Sequence, residues 1–484
     1  MTTTMIESRS PQRPDDLVVA VPDQDGAAVE AAVEAARRAS LAWRRLPAPA
    51  RTQALGQAAD AVAGAAAELA GLVVREVGKP VGEARGEVAR TVSILRYYAQ
   101  AVLDPDGRTY PSSDGSSLLF HRRRPHGVAG LVTPWNFPIA IPAWKAAPAL
   151  ACGNGVVLKP APESSAVALR LAELCALHLP DGLFQVVTGG AGTGEAVVAL
   201  ADVVSFTGSV AAGRAVTAAA TARGVPSQAE MGGQNASIVL PDADLARVAG
   251  VVAGAAMGYA GQKCTATSRV VVVGDPRPFT EALVAAVEAL PVGDPAEPAT
   301  VAGPVITARA REAVLAAAAE ARARGGRILT GGDPPGWPGA PGPGYPGAGG
   351  PGAGGGTSDG WFVRPVLVDG LKPEDRLAQE EVFGPFCLVL AARDDDEAIA
   401  VTNGVRYGLV TSVFTRDLDR ALDLVERVDT GLVKVNAATS GVDFYAPFGG
   451  EKASSFGPRE QGKAARDFYT TTQTVTLGRA GPPR

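Results

Sequence analysis

The chain has 484 residues, 46% hydrophobic and 20% charged, an ordinary globular composition that excludes a disordered or fibrous protein. At this length about three quarters of the extended surface is buried on folding, and about three domains are expected. Forty-five basic against fifty acidic residues give a net charge of −5 without a long basic run, which argues against nucleic acid and for a small-molecule partner.

The opening MTTTMIESRSPQRPDD lacks the apolar core of a signal peptide. The longest apolar stretch, about 248–260, is too short and glycine-rich to span a bilayer, so a cytoplasmic protein without a membrane partner is expected. Four cysteines (152, 175, 264, 387) and three histidines (121, 126, 178) show no disulfide or metal-ligand spacing, and no metal site is expected.

From Asp25 to Arg96, apolar residues at helical spacing predict three amphipathic helices: AAVEAAVEAARRASLAW, QALGQAADAVAGAAAELAGLVVREV and GEVARTVSILRYYAQAV. From His126, short apolar runs closed by Gly, Pro or Asn read as strands: GVAGLVTPWN, NGVVLKP, LFQVVTGG, DVVSFTGS and ASIVLP, with helix-length segments between them. This alternation predicts an α/β fold with a doubly wound parallel sheet, where ligands collect beyond the carboxyl ends of the strands. A second α/β series follows, with SRVVVVG, GRILTGG, PFCLVLA, VTSVFT and GLVKVN as strands. Residues 331–360 hold 14 glycines and 7 prolines and read as a flexible insert without a core of its own. DFYTTTQTVTL has strand character and suits a sheet edge, either its own or a partner subunit's.

The window GYAGQKCTATSRVVVV places Cys264 in a polar, glycine-containing turn before a buried strand. There backbone N–H groups favour a thiolate and can hold an oxyanion; the other three cysteines read as buried and inert. In QAEMGGQNASIVLP, Glu230 stands at a glycine turn, placed to act as a general base if its surroundings raise its pKa. In TPWNFP, Asn136 offers an amide to an oxyanion and Trp135 a flat wall to an aromatic ligand; a plain rigid loop is the other reading. The turns TGGAGTGEAV, with Gly192, and SFTGSVAAGRAV, with Thr207, Gly208, Ser209 and Gly213, follow strands and begin helices, a geometry that receives phosphate or merely packs helix on strand. Lys159 ends NGVVLKP and points a cation at the same crevice.

Taken together and in order, TPWNFP, KPAPE, SFTGS, EMGG, GQKCTA, EEVFGPF and PFGG resemble the aldehyde dehydrogenase superfamily. Within it, NFPIAIPAWKAAPAL and TSGVDFYAPFGGEKASSFGPREQGKAARDFYTTT are most similar to the α-ketoglutaric semialdehyde (2,5-dioxovalerate) dehydrogenases. The resemblance implies a Rossmann-type NAD(P)-binding domain (1–110 and 128–230), an α/β catalytic domain (231–430) carrying the 331–360 insert, and a small β oligomerisation arm (111–127 and 464–484). It implies a homodimer or homotetramer, and a chain that starts late, without the family's first hairpin.

By the same resemblance Cys264 is the nucleophile that forms a thiohemiacetal and then a thioester. Asn136 and the Cys264 N–H hold the oxyanion, and Glu230 activates the hydrolytic water. Trp135, Lys159, Glu163, Gly192, Thr207, Gly208, Ser209, Gly213, Glu381 and Phe383 surround the cofactor, and Phe444 and Tyr445 are candidate substrate walls. NAD-preferring members carry glutamate where Pro162 stands here, with Glu163 one residue further, so NAD or NADP is expected, with NAD favoured. The Ser-Gly usual near the C-terminal signature is Ser454-Ser455. The implied activity is oxidation of a carboxylate-bearing semialdehyde; another small aldehyde, or a catalytically silent binding protein of the same fold, are the alternatives.

Overall fold

The computed structural model describes residues 4–332 and 360–478. Apart from its end residues, the insert expected at 331–360 lies outside the described residues. Two large sheets carry the molecule. The first has six strands in the order Ser455–Phe456, Ser227–Glu230, Val203–Thr207, Val128–Thr133, Gly155–Pro160 and Phe184–Val186. All its pairs are parallel except the outermost, where Ser455 pairs antiparallel with Glu230. The second has seven strands: Arg327–Thr330, Val366–Asp369, Phe386–Ala392, Thr267–Val273, Asn235–Val239, Val410–Phe414 and Leu432–Val435. Only its first pair is antiparallel.

Helices cover both sheets, so the central strands bury every residue and read as unbroken apolar runs. Residues 231–234 cross from the carboxyl end of a first-sheet strand, Glu230, to the start of a second-sheet strand, Asn235. The strand ends of one sheet therefore face the strand starts of the other, and this seam positions the site.

Several expectations are corrected. The N-terminal hairpin is present: Met5–Ser10 pairs antiparallel with Arg13–Pro22. Its inward positions include Ser8 and Ser10, so the alternation is not one of apolar residues and the sequence pattern hides it. The second predicted helix is two, Ala48–Gly64 and Ala66–Val77, bent by 66°. ASIVLP belongs to the second sheet, and Val366–Asp369 is a strand that the sequence reading did not pick out. DFYTTTQTVTL pairs within its own chain: Thr470–Leu477 runs antiparallel to Leu118–Pro125, which also pairs with Gly107–Tyr110.

Among the described residues no single helix is long and apolar enough to cross a membrane. The bent pair just named has the length and composition, but Leu55, Val62, Leu69 and Val73 bury it in the core. No group of three or more metal-ligating side chains gathers among the described residues.

Candidate active site

Cys264 sits between two fixed pieces of backbone. Before it, Tyr259, Ala260 and Gly261 are all left-handed, with φ of 54°, 52° and 66°. For the two non-glycine residues this costs about 1–2 kcal/mol each, and such strain persists only where the surroundings hold it. Here the holding is visible. Gln262 donates to the Tyr259 and Pro304 carbonyls (both 3.2 Å) and accepts from the Ile306 N–H at 2.8 Å. Tyr259 bonds the Val77 carbonyl through its hydroxyl at 3.1 Å. After it, the Asn235 amide donates to the carbonyls of Cys264 (2.7 Å) and Ala266 (2.8 Å).

Asn136 is buried at the carboxyl end of Val128–Thr133 and donates to the Gln262 carbonyl at 3.0 Å. That fixes one N–H two residues from the sulfur and leaves the second free, while its Oδ1 is buried with no hydrogen-bond partner. Cys264 is half-buried and lines a cavity of about 220 Å³ with Phe137, Trp144 and Phe448.

The thiol differs from the sequence expectation. Burial, then the charges of Glu381 and Glu230, push its pKa up to about 12, and the favourable backbone N–H of Cys264 itself does not offset them. The turn therefore holds a neutral thiol at rest, and a base must take its proton. Cys175 and Cys387, fully buried, are pushed to about 12 by desolvation, and Cys152 to about 11; none of the three lines the cavity.

Glu230 ends its strand, buried, with its pKa raised well above the usual carboxylate range by desolvation and then by Glu460. Ser455 opposes this by donating to Glu230 Oε2 at 2.5 Å. Behind it lies a buried group that sequence reasoning missed. Lys145 forms an ion pair with Glu460 and donates to Ser205 Oγ at 2.7 Å, and Gln228 donates to Glu460 Oε1 at 3.2 Å. The one available signal was a lysine in the otherwise apolar helix Ala140–Ala151, buried throughout. Glycines admit the carboxylates: a Cβ on Gly449 would stand 2.8 Å from Glu230 Oε1, and one on Gly232 only 2.0 Å from Glu381 Oε2.

The predicted cofactor residues stand at this seam and at the carboxyl ends of first-sheet strands and the turns that follow them. Glu381 accepts from the Gly233 N–H at 3.2 Å, and burial raises its pKa to about 8. Phe383, left-handed at φ 50°, meets Trp135 edge-on at 5.8 Å, and Trp135 meets Tyr259 at 6.5 Å. Lys159 is buried at its strand end, its pKa lowered by desolvation against the nearby charges of Glu163 and Asp23. The two glycine turns differ. At the first, Asp23 already accepts from the Gly190 N–H at 3.0 Å, although Gly192 opens onto free space. At the second, Ser209 caps the helix Val210–Ala222, whose first turn carries no acidic residue. Thr207 Oγ1 is buried there without a partner, and Gly213 lets Met231 pack closely. A helix N-terminus with no acidic residue in its first turn, a buried hydroxyl without a partner among the described residues, a cation two strands along the sheet and an aromatic wall fit a dinucleotide.

Phe444 and Tyr445 do not line the cavity; its loop wall is Ser440, Gly441 and Val442. Phe444 packs edge-on against Tyr97 at 5.8 Å, and Tyr445 is 60% exposed. Arg269 is buried in carbonyls of Gln234, Val401 and Thr402 and serves the fold.

Comparison with known proteins agrees with this geometry. The sequence profile described as "Aldehyde dehydrogenase family" matches residues 1–345 and 346–475. The chain is 38% identical over 476 residues to the "Alpha-ketoglutaric semialdehyde dehydrogenase" of Bacillus subtilis, covering 97% of this chain and 94% of that one. It is 39% identical over 475 residues to the "Alpha-ketoglutarate semialdehyde dehydrogenase" of Haloferax volcanii, covering 97% and 95%. The crystal structure of an NAD-dependent aldehyde dehydrogenase from Sinorhizobium meliloti superposes with a TM-score of 0.90 at 31% identity, covering 99% of this chain and 93% of that one. The family profile covers nearly the whole chain and both relatives are matched over almost their full length, so the chain belongs to the aldehyde dehydrogenase family.

Proposed function

We propose that the protein oxidises a small carboxylate-bearing aldehyde, α-ketoglutaric semialdehyde foremost, to its acid, with NAD or NADP as oxidant and water as acyl acceptor. The observation that carries this is Cys264 on a cavity wall within electrostatic reach of two carboxylates of raised pKa. The names of the Bacillus and Haloferax relatives support the substrate, and that of the Sinorhizobium structure supports NAD. Glu163 beside Lys159 supports NAD as well, since a carboxylate there accepts from ribose hydroxyls and repels the extra phosphate of NADP.

Thr207, Gly208, Ser209 and Gly213 would hold the pyrophosphate, Lys159 and Glu163 the adenosine ribose, and Glu381 and Phe383 the nicotinamide ribose. A bound nicotinamide supplies the acceptor for the aldehyde's hydride. The chain's own residues do the rest. The Cys264 thiol gives its proton to a neighbouring carboxylate and its sulfur bonds the aldehyde carbon. The free Asn136 N–H and the Cys264 N–H hold the resulting oxyanion. After oxidation to the thioester, Glu230 takes a proton from water, the hydroxide adds to the acyl carbon, and the C–S bond breaks to release acid and thiol.

Cys264→Ala abolishes formation of reduced cofactor, and Glu230→Gln leaves a single burst without turnover, both read by nicotinamide absorbance. Equal steady-state rates for Glu230→Gln and wild type would remove the general-base assignment. In a substrate panel the carboxylate-bearing five-carbon aldehyde leads aliphatic and aromatic aldehydes; a flat profile would withdraw the substrate.

A further inference from the structure

We infer that Arg90 is the residue that binds the substrate's carboxylate at the far end of the Cys264 cavity. The inference rests on the function just proposed and names the one group it leaves unassigned. The helix Val81–Ala101 presents Glu83, Gly86, Glu87 and Arg90 to the cavity at helical spacing of three and four. Two of the three charges are already answered. Glu83 accepts from Lys263 at 2.8 Å. Glu87 pairs with buried Lys79 and also accepts from the Ile139 and Ala140 N–H groups, both at 3.0 Å. Arg90 alone among the charged residues of this lining has no ion pair or hydrogen bond among the described residues.

Its position suits the chemistry. Glu83 is tied to Lys263, the neighbour of the nucleophile, so the helix is anchored at the cysteine end of the cavity. Seven residues on, Arg90 stands about 10.5 Å further along the axis, at 1.5 Å per residue. A five-carbon chain spans about 5 Å, four bonds of about 1.5 Å in zigzag. The flexible guanidinium covers the remainder and grips a carboxylate with two parallel N–H bonds.

Between the two ends, Gly86 keeps the wall open: a methyl group there would meet nothing within 4 Å. A glycine in mid-helix costs about 1 kcal/mol relative to alanine, and here the open wall lies where the substrate chain would pass. A second cation stands near Arg90. Lys434 donates to the carbonyls of Ser440 (2.7 Å) and Gly441 (2.5 Å), which also line the cavity, and lies within electrostatic reach of Asp443 and, more weakly, of Arg90. Lys434 is spent on carbonyls, which leaves Arg90 as the donor.

The test compares Arg90→Gln and Arg90→Lys with wild type on α-ketoglutaric semialdehyde, succinic semialdehyde and pentanal, with glutarate as a competitive inhibitor. A charged hydrogen-bonded pair corresponds to about 10- to 100-fold in binding. Expected for Arg90→Gln is a rise of that size in KM for both semialdehydes and in the inhibition constant of glutarate, with kcat nearly kept and pentanal kinetics unchanged. Arg90→Lys recovers part of the loss. If wild type prefers the semialdehydes and Arg90→Gln keeps that preference, Arg90 is overturned while the proposed function stands. If Arg90→Gln slows pentanal equally, the residue acts on the fold and the inference fails. If wild type has no preference for a carboxylate, the substrate reading falls and Arg90 with it.

Discussion

At the scale of single residues, the decisive feature is how the proposed nucleophile and proposed base are held away from their ordinary ionisation. Burial, and after it the charges of other carboxylates, raise the pKa of both Cys264 and Glu230. A carboxyl group of raised pKa accepts protons only once it has ionised, so turnover climbs as pH rises through that pKa. Ser455 is the foremost opposing influence, a hydroxyl donating at 2.5 Å to Glu230 Oε2, ahead of the charges of Lys145 and Arg459. A hydrogen bond to a charged group is worth about 1.5–3 kcal/mol, which corresponds to about one pH unit or more. Ser455→Ala should therefore move the rising limb of the kcat pH profile toward higher pH by about one unit, leaving the rate above the limb nearly intact. An unmoved limb would mean that Ser455 does not govern the base. Sequence alone singled out Cys264, Glu230 and Asn136 as candidates, because polar and glycine turns at strand ends are visible locally. It did not give the thiol's raised pKa, which comes from carboxylates in distant segments, nor Glu460, 315 residues from its partner Lys145.

Between elements, the strands and most helices were legible because parallel strands buried on both faces are continuous apolar runs. Where polar residues face inward, as at Ser8 and Ser10, the signal was lost. A similar long-range exchange starts the helix Ser165–Ala176. Its N-cap Ser164 makes no side-chain cap bond and instead donates to the Ala161 carbonyl. The orphan N–H groups of Ala166 and Val167 are taken by Glu76, on the helix Ala66–Val77, at 2.8 Å each. Burial outweighs these bonds and raises the Glu76 pKa from 4.5 to about 7. Between those values the unfolded chain has released its proton and the folded chain has kept it, so this group's contribution to stability falls as pH rises through the window. Glu76→Gln keeps an acceptor but does not titrate. Denaturant midpoints at pH about 5 and about 8 should differ less in Glu76→Gln than in wild type. An equal difference in both proteins would show that Glu76 does not contribute to the pH dependence.

At the scale of the whole molecule, the three-stranded sheet has no core of its own. Thr470–Leu477 lies at its edge with its outer side unpaired, and Tyr110, Leu118 and Leu477 are each about half exposed, at 46%, 51% and 54%. So small an open sheet is marginal in water, and a free edge bearing apolar side chains invites another strand. The same chain offers a second free edge, Leu432–Val435, at the border of the seven-stranded sheet, where Val435 is 40% exposed. Edge-to-edge pairing between copies would satisfy both, and a closed set of two or four copies would leave neither of these two edges open. Light scattering should then give wild type the mass of a dimer or tetramer. A variant ending at Tyr469 should give a smaller assembly or a monomer and a lower melting temperature, with the Leu118–Pro125 strand left bare. A wild-type monomer, or a shortened chain of unchanged assembly, would remove this strand from the interface.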